Sequence, residues 1–90
     1  MNSTYLKSLL EKAALEGDYA LIDYVDAKMN ITNDRLIEPY EVKQDKSGRW
    51  VVNSMCHTKN GYRPFLLEGI QKCKIIPLPK ALEMLEGKND

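Results

Sequence analysis

Apolar side chains at Leu6, Leu9, Leu10 and Ala13 alternate with Lys7, Glu11 and Lys12 at the spacing of one helix face. Ser3 or Thr4 is suited to cap the start and Gly17 to end it, which predicts a helix over residues 4–16. From Tyr19 the period shortens to two: Leu21, Asp23 and Val25 alternate with Ile22 and Tyr24, a strand that the turn-forming stretch Asp26 to Asn30 closes. The return strand, Ile31 to Lys43, contains Pro39, which has no N–H for a ladder, so the strand must be bent, bulged or at an edge there. Asp45-Lys46-Ser47-Gly48 forms the next turn, Arg49 to Met55 the third strand, and Thr58-Lys59-Asn60-Gly61 carries the Asn-Gly signal of a tight reversal. Tyr62 to Leu67 and Ile70 to Ile76 complete five strands, with Lys72 and Lys74 on one side of the last and Cys73 and Ile75 on the other. Pro79 opens a final helix over 79–86, striped by Leu78, Leu82 and Leu85 and stopped by Gly87.

The predicted order is α-β-β-β-β-β-α, with no connection long enough for a parallel crossover. This is a mainly β (α+β) chain: an antiparallel meander over 19–76, expected to hide its edges by curling into a small five-stranded barrel with a helix at either end. Ninety residues, 43% of them hydrophobic, describe a single domain spanning 1–90 and exclude a multidomain enzyme. No apolar run approaches the roughly 18 residues of a membrane span and no secretion signal opens the chain, so no membrane partner is expected and the cytoplasm is the expected compartment. Cys56 and Cys73 lack metal-ligand spacing and are expected as thiols in the core.

Charge changes the picture more than composition does. Residues 1–42 hold four bases against eight acids, whereas residues 43–74 hold seven bases against two acids, so a chain of zero net charge carries a basic middle that could attract a polyanion. No Gly-x-Ser-x-Gly and no phosphate-cradling glycine loop occurs. Cys56 and His57 are adjacent, but strand neighbours point to opposite faces and would not form a nucleophile and base, so neither enzymatic activity nor a cofactor is expected. The carboxylates of Asp23, Asp26, Asp34, Glu38 and Glu41 lack calcium-loop spacing and are expected as a solvated face. Arg35 is expected to pair with one of them, Glu38 or Asp34. What remains is aromatic and basic: Tyr40, Arg49, Trp50, His57, Tyr62 and Arg63 fall in or beside strands two to four, and guanidinium groups with flat rings fit phosphates and bases.

The succession Arg35-Leu36-Ile37-Glu38-Pro39-Tyr40, Ser47-Gly48-Arg49-Trp50-Val51-Val52, Cys56-His57, Tyr62-Arg63-Pro64-Phe65-Leu66-Leu67 and Ile70 resembles the WYL domain, named for a Trp-Tyr-Leu signature. The resemblance covers about residues 19–76 and implies an Sm-like β-barrel that senses ligands, nucleic acids or nucleotides among them, in bacterial and phage regulators of transcription. Three departures stand out. Trp50-Val51-Val52 replaces the signature, removing a ring and a hydroxyl. Gly69 precedes Ile70 where the pattern has Arg. One helix before Gly17 is too few for a helix-turn-helix, so a stand-alone module is expected.

The expected function is non-enzymatic: a WYL-like regulatory domain binding single-stranded nucleic acid or a nucleotide-like anion. Arg63 would hold phosphate, Arg49 and Lys72 would widen the positive field, and His57 and Tyr62 would contact a base or sugar, with Trp50 completing the ring-bearing set. The alternative is a protein-interaction module, a phage-type inhibitor or adaptor of host machinery, that uses an open strand edge or the leucine stripes. Oligomeric state is left open.

Overall fold

The computed structural model describes residues 3–87; the outermost positions of the expected domain, 1–2 and 88–90, lie outside the described residues. The elements are α1 (Ser3–Glu16), β1 (Tyr19–Val25), β2 (Ile31–Gln44), β3 (Trp50–Cys56), β4 (Gly61–Leu66), a 3-10 turn (Leu67–Gly69), β5 (Ile70–Ile76) and α2 (Leu78–Gly87). Leu6, Leu10 and Ala13 form the buried stripe of α1. Gly17, at φ +75°, lets the chain leave the helix while the Asp18 N–H closes back on the Ala13 carbonyl at 2.9 Å. Asp18 also accepts a bond from the Leu78 N–H at 3.2 Å, which ties the end of α1 to the start of α2.

All strands are antiparallel, in the order β4-β3-β2-β1-β5. The register of β2 on β3 shifts between Pro39 and Glu41, a bulge at the position where proline interrupts the strand. Leu36 turns its N–H to Thr58 and its carbonyl to His57, both on the β3 side, so alternation sends the nitrogen of Pro39 to the opposite side, where β1 no longer pairs. No ladder bond is lost there.

The α+β class and the element order agree with the sequence, but the barrel does not close. No ladder joins β4 to β5, and both are edges of one curled sheet. Tyr24 substitutes for the missing ladder. Its ring meets Phe65 of β4 edge-on at 4.9 Å, and its hydroxyl accepts the Leu66 N–H at 3.0 Å, so a side chain bridges β1 to β4. The turn after β4 then passes so close to β1 that a Cβ on Gly69 would lie 2.5 Å from the Val25 carbonyl oxygen and 2.7 Å from the Tyr24 ring.

The inner face of the sheet and α1 enclose the main core, including Ile22, Ile37, Val52, Cys56 and Phe65. A second, smaller cluster of Tyr19, Leu36, Ile76 and Ala81 lies on the outer face under α2, joined by Leu21, Met84 and Leu85. The stripe of α2 therefore differs from the expected one: Ala81, Met84 and Leu85 pack, while Leu78 and Leu82 face solvent. The reason is position. This short helix lies on the outer face instead of capping a barrel end. Neither described helix is long and apolar enough to cross a membrane.

Candidate functional site

Cross-strand partners point to the same side of a sheet, so the register assigns each functional side chain to a face. The row Glu38, Met55, Tyr62 lies on the outer face of β2, β3 and β4, and Pro39, Ser54, Arg63 on the inner face. His57 follows the fully buried, inward Cys56 and turns outward, as expected for strand neighbours. Its ring stacks on Tyr19 at 5.1 Å and its Nε2 lies 3.3 Å from Glu38 Oε1. Beside it, Tyr62 is 73% exposed and meets Tyr40, 45% exposed, with ring centroids 5.6 Å apart. Partial desolvation, the nearby Glu38 carboxylate and a hydrogen bond with Tyr62 push the Tyr40 phenol up to about 12. Desolvation first and Glu38 second also raise Tyr19. Both phenols stay neutral at physiological pH. Tyr40 and Tyr62 thus form an exposed aromatic step, and Tyr40 does not pack into the core.

Arg49 and Trp50 lie at the other end of β3. Asp45 organises their turn, accepting the Ser47 and Arg49 N–H groups at 2.8 and 2.9 Å and the Arg49 guanidinium at 3.0 Å. These bonds, the Arg49 N–H first, hold the Asp45 carboxyl below its ordinary value. Arg49 is therefore partly neutralised before any ligand arrives. Trp50 is 36% exposed and carries the Lys7 ammonium 4.1 Å from its ring centre, a cationic lid on an aromatic face. Next to it, Val51 stands where the Trp-Tyr-Leu signature has its tyrosine, and it lines a hollow of about 280 Å³ with Lys43, Asp45, Arg49 and Leu66. The shorter side chain leaves that hollow open.

Arg63, on the exposed edge β4, has no carboxylate within 4 Å among the described residues. The Ser54 hydroxyl donates to its carbonyl at 3.2 Å and steadies the backbone there. Lys72 lies on the opposite edge strand, across from Asp23, in a hollow of about 410 Å³ that Leu21, Asp34 and Lys74 also line. The six expected residues thus occupy four places: Arg49 with Trp50, His57 with Tyr62, Arg63 on its edge, and Lys72 alone. Tyr62 and Trp50 are separated along β3 by about 17 Å, counted from the Met55 partner of Tyr62.

Arg35 is the residue that sequence reasoning misplaced. No ion pair joins it to Glu38 or Asp34; it is 8% exposed and points inward. Its Nη1 donates to Thr32 Oγ1 at 3.2 Å, its Nη2 lies 3.7 Å from Cys56 Sγ, and its guanidinium carbon sits 4.7 Å from the centre of the Phe65 ring. Nε is buried without a partner, and no described carboxylate lies within 4 Å of the guanidinium. The signal was its spacing: Arg35 is two residues before the inward Ile37, so it shares that face. Cys73, with its pKa raised by burial to about 11, and Cys56 are free thiols, and no described group of side chains is arranged to hold a metal ion.

The family model of the WYL domain matches residues 6–75. The chain belongs to the WYL domain family. Among solved structures it is similar to proteasome accessory factor B/C (PafBC) of Arthrobacter aurescens, with a TM-score of 0.71 and 22% identity over 81% of this chain. It spans 11% of the length of that protein. No curated protein matches it. WYL domains are regulatory, ligand-sensing modules, and the fold of this WYL domain agrees with that neighbour in architecture. The glycine that departs from the family pattern has a structural cause: Tyr24 and Val25 fill the space beside Gly69, so an arginine at this position has no room.

Proposed function

We propose that this WYL domain binds single-stranded nucleic acid as an extended chain that passes over the open β4 edge of the β3–β4 hairpin, without catalysing a reaction, and that binding regulates a partner. The observation that carries the reading is the distribution of rings and cations about the open β4 edge: Tyr62 on Tyr40 on the outer face, Trp50 with the inward parity of Val52 at the other end of β3, and Arg63, inward but exposed at the edge, between the two levels. A mononucleotide cannot reach both aromatic groups, which are about 17 Å apart along β3 and on opposite faces, whereas a chain of several nucleotides can cross the edge and stack a base at each. Arg63 takes a phosphate, Arg49 and Lys7 supply positive field at the Trp50 end, and His57 offers a ring nitrogen near Tyr62. Lys72 lies off this track and contributes only to the long-range field.

The test is fluorescence anisotropy with a labelled oligothymidine of about ten nucleotides, a length within the usual range for single-strand sites. The oligonucleotide is expected to bind far more tightly than thymidine monophosphate, and to weaken steeply between low and physiological salt. Arg63→Ala and Tyr62→Ala are each expected to cost about 1–3 kcal/mol, roughly five-fold to a hundred-fold in affinity. Equal affinity for the mononucleotide, or binding indifferent to salt, refutes the reading.

A further inference from the structure

A second surface shares Tyr40 with that track and otherwise lies on α1 and the far half of β2. β2 is twice as long as β1, at 14 residues against 7, and β1 pairs with it only as far as Ile37. Beyond Ile37 one edge of β2 is bonded to β3 and the other faces no strand. The direction of its backbone groups follows from the turn. Asp45 donates its N–H to the Arg49 carbonyl, and the register then puts Lys43 opposite Val51 and Glu41 opposite Asn53 with their backbone groups toward β3. By alternation Val42 presents its N–H and C=O to the free side. A hollow of about 400 Å³ runs along that side, walled by Glu11, Ala14 and Leu15 of α1 and by Tyr40, Glu41 and Val42 of β2. Leu15 is 88% exposed there, on a helix whose buried stripe is on another face.

We propose that this groove between α1 and the open edge of β2 takes an extended peptide segment of a partner protein, which adds as a strand beside Val42. An unpaired strand edge supplies main-chain hydrogen bonds, and a neighbouring helix supplies the wall that selects side chains. The chemistry of the occupant follows from the lining. Ala14, Leu15 and Val42 accept apolar residues, while the carboxylates of Glu11 and Glu41 favour lysine or arginine at the intervening positions. Glu41 is already bonded to Asn53 through Oε1 at 3.0 Å and approached by Lys43 at 3.9 Å, which leaves Glu11 as the freer of the two acids. Alternating apolar and cationic residues match the period of two of an added strand. The outer edges are poorer candidates: β5 carries Lys72 and Lys74, and β4 carries Pro64, which cannot donate.

The probe is a synthetic heptapeptide of alternating valine and lysine, followed by ¹H–¹⁵N shift mapping and amide exchange on the whole domain. The expected result is binding with shifts centred on Leu15 and Val42, and at least tenfold slower exchange of the Val42 amide. Glu11→Lys is expected to weaken binding about fivefold, and Leu15→Asp more. Replacing the lysines of the peptide with glutamates, or N-methylating the backbone positions that face β2, is expected to weaken binding at least tenfold. Shifts confined to β4 or β5, full binding by the N-methylated or glutamate peptide, or no binding at all overturns the proposal.

Discussion

Replacing Arg35 with methionine isolates the energetic cost of a buried cation without an acid. The guanidinium is a cation that has lost nearly all its water at 8% exposure. In return it has one bond to Thr32 at 3.2 Å, a long contact to the Cys56 sulfur at 3.7 Å and the face of Phe65 at 4.7 Å. A hydrogen bond to a charged group is worth about 1.5–3 kcal/mol and a desolvated cation–π contact about 2. Against these stand several kcal/mol of desolvation and about 1–3 kcal/mol for the unpartnered Nε. Methionine is unbranched, reaches the same space and places its own sulfur near the ring, a contact worth about 1 kcal/mol. Arg35→Met is therefore expected to raise stability by about 1–3 kcal/mol, or roughly 4–8 °C in Tm for each kcal/mol in a domain of this size. Arg35→Ala, which leaves a void over Phe65, is expected to lower it by about 2–4 kcal/mol. Urea unfolding followed by Trp50 fluorescence reads both variants. A methionine variant less stable than the parent refutes the assignment of Arg35 as an uncompensated charge. Oligonucleotide affinity of the methionine variant is expected to match the parent's, since Arg35 lines none of the hollows described above.

Gly69→Ala is expected to destabilise the fold by about 2 kcal/mol or more, because its Cβ would meet the Val25 carbonyl oxygen at 2.5 Å and backbone must move to admit it. Gly69→Arg, which restores the family pattern, is expected to lower the urea midpoint further and gain no oligonucleotide affinity. Asp45 predicts an acid limit. Its folded pKa is depressed, so its contribution is complete above the ordinary aspartate value of 3.8 and is lost as the pH falls through the lower folded value. Urea midpoints measured from about pH 5 down to about pH 2 are therefore expected to fall less steeply for Asp45→Asn than for the parent, with Asp26, depressed mainly by the Asn30 N–H, supplying part of the remaining slope. Spectrophotometric titration is expected to show Tyr40 ionising near 12 and a lower value in Glu38→Gln, where a negative neighbour is gone.

The hairpins were legible because their turns carry the chemistry that the backbone needs. Asp26 and Asp45 both bond the N–H groups that follow them, and Asn60 takes a positive φ of 54° directly before Gly61. Strand limits read from those turns agree with the structure to about a residue, and Pro39 marks the bulge. Closure was not legible. It depends on whether β4 and β5 meet, and here the Tyr24 side chain fills the place of a ladder, which no local pattern announces. Period two also fails at Leu36 and Ile37, both buried, because α2 covers the outer face where α1 and the core cover the inner one. That same double coverage hides the inward parity of Arg35, one residue earlier, among the acids Asp34 and Glu38.

The site residues show a different limit. Sequence assigns a side chain to a strand and a face, but the distance between two side chains depends on strand order and on position along the ladder. Trp50 and Tyr62 both belong to the β3–β4 hairpin and stand about 17 Å apart, whereas Lys72, only ten positions after Tyr62, lies on the opposite edge because the chain crosses from β4 to the far side of β1. The expected site residues do not meet in one pocket: they stand in four places, with Trp50 and Tyr62 on opposite faces of the sheet. Under the function proposed above this favours a polymer over a small molecule, since a pocket selects a molecule by enclosing it and separated contacts select a polymer that repeats along them. The hollow beside Val51 is consistent with that preference: with valine where the family signature has tyrosine, no ring stands between Arg49 and Leu66 to wall off a small ligand. Val51→Tyr is accordingly expected to fill this hollow and to shift preference from oligonucleotide toward mononucleotide, and an unchanged ratio of the two affinities would separate the signature tyrosine from ligand size.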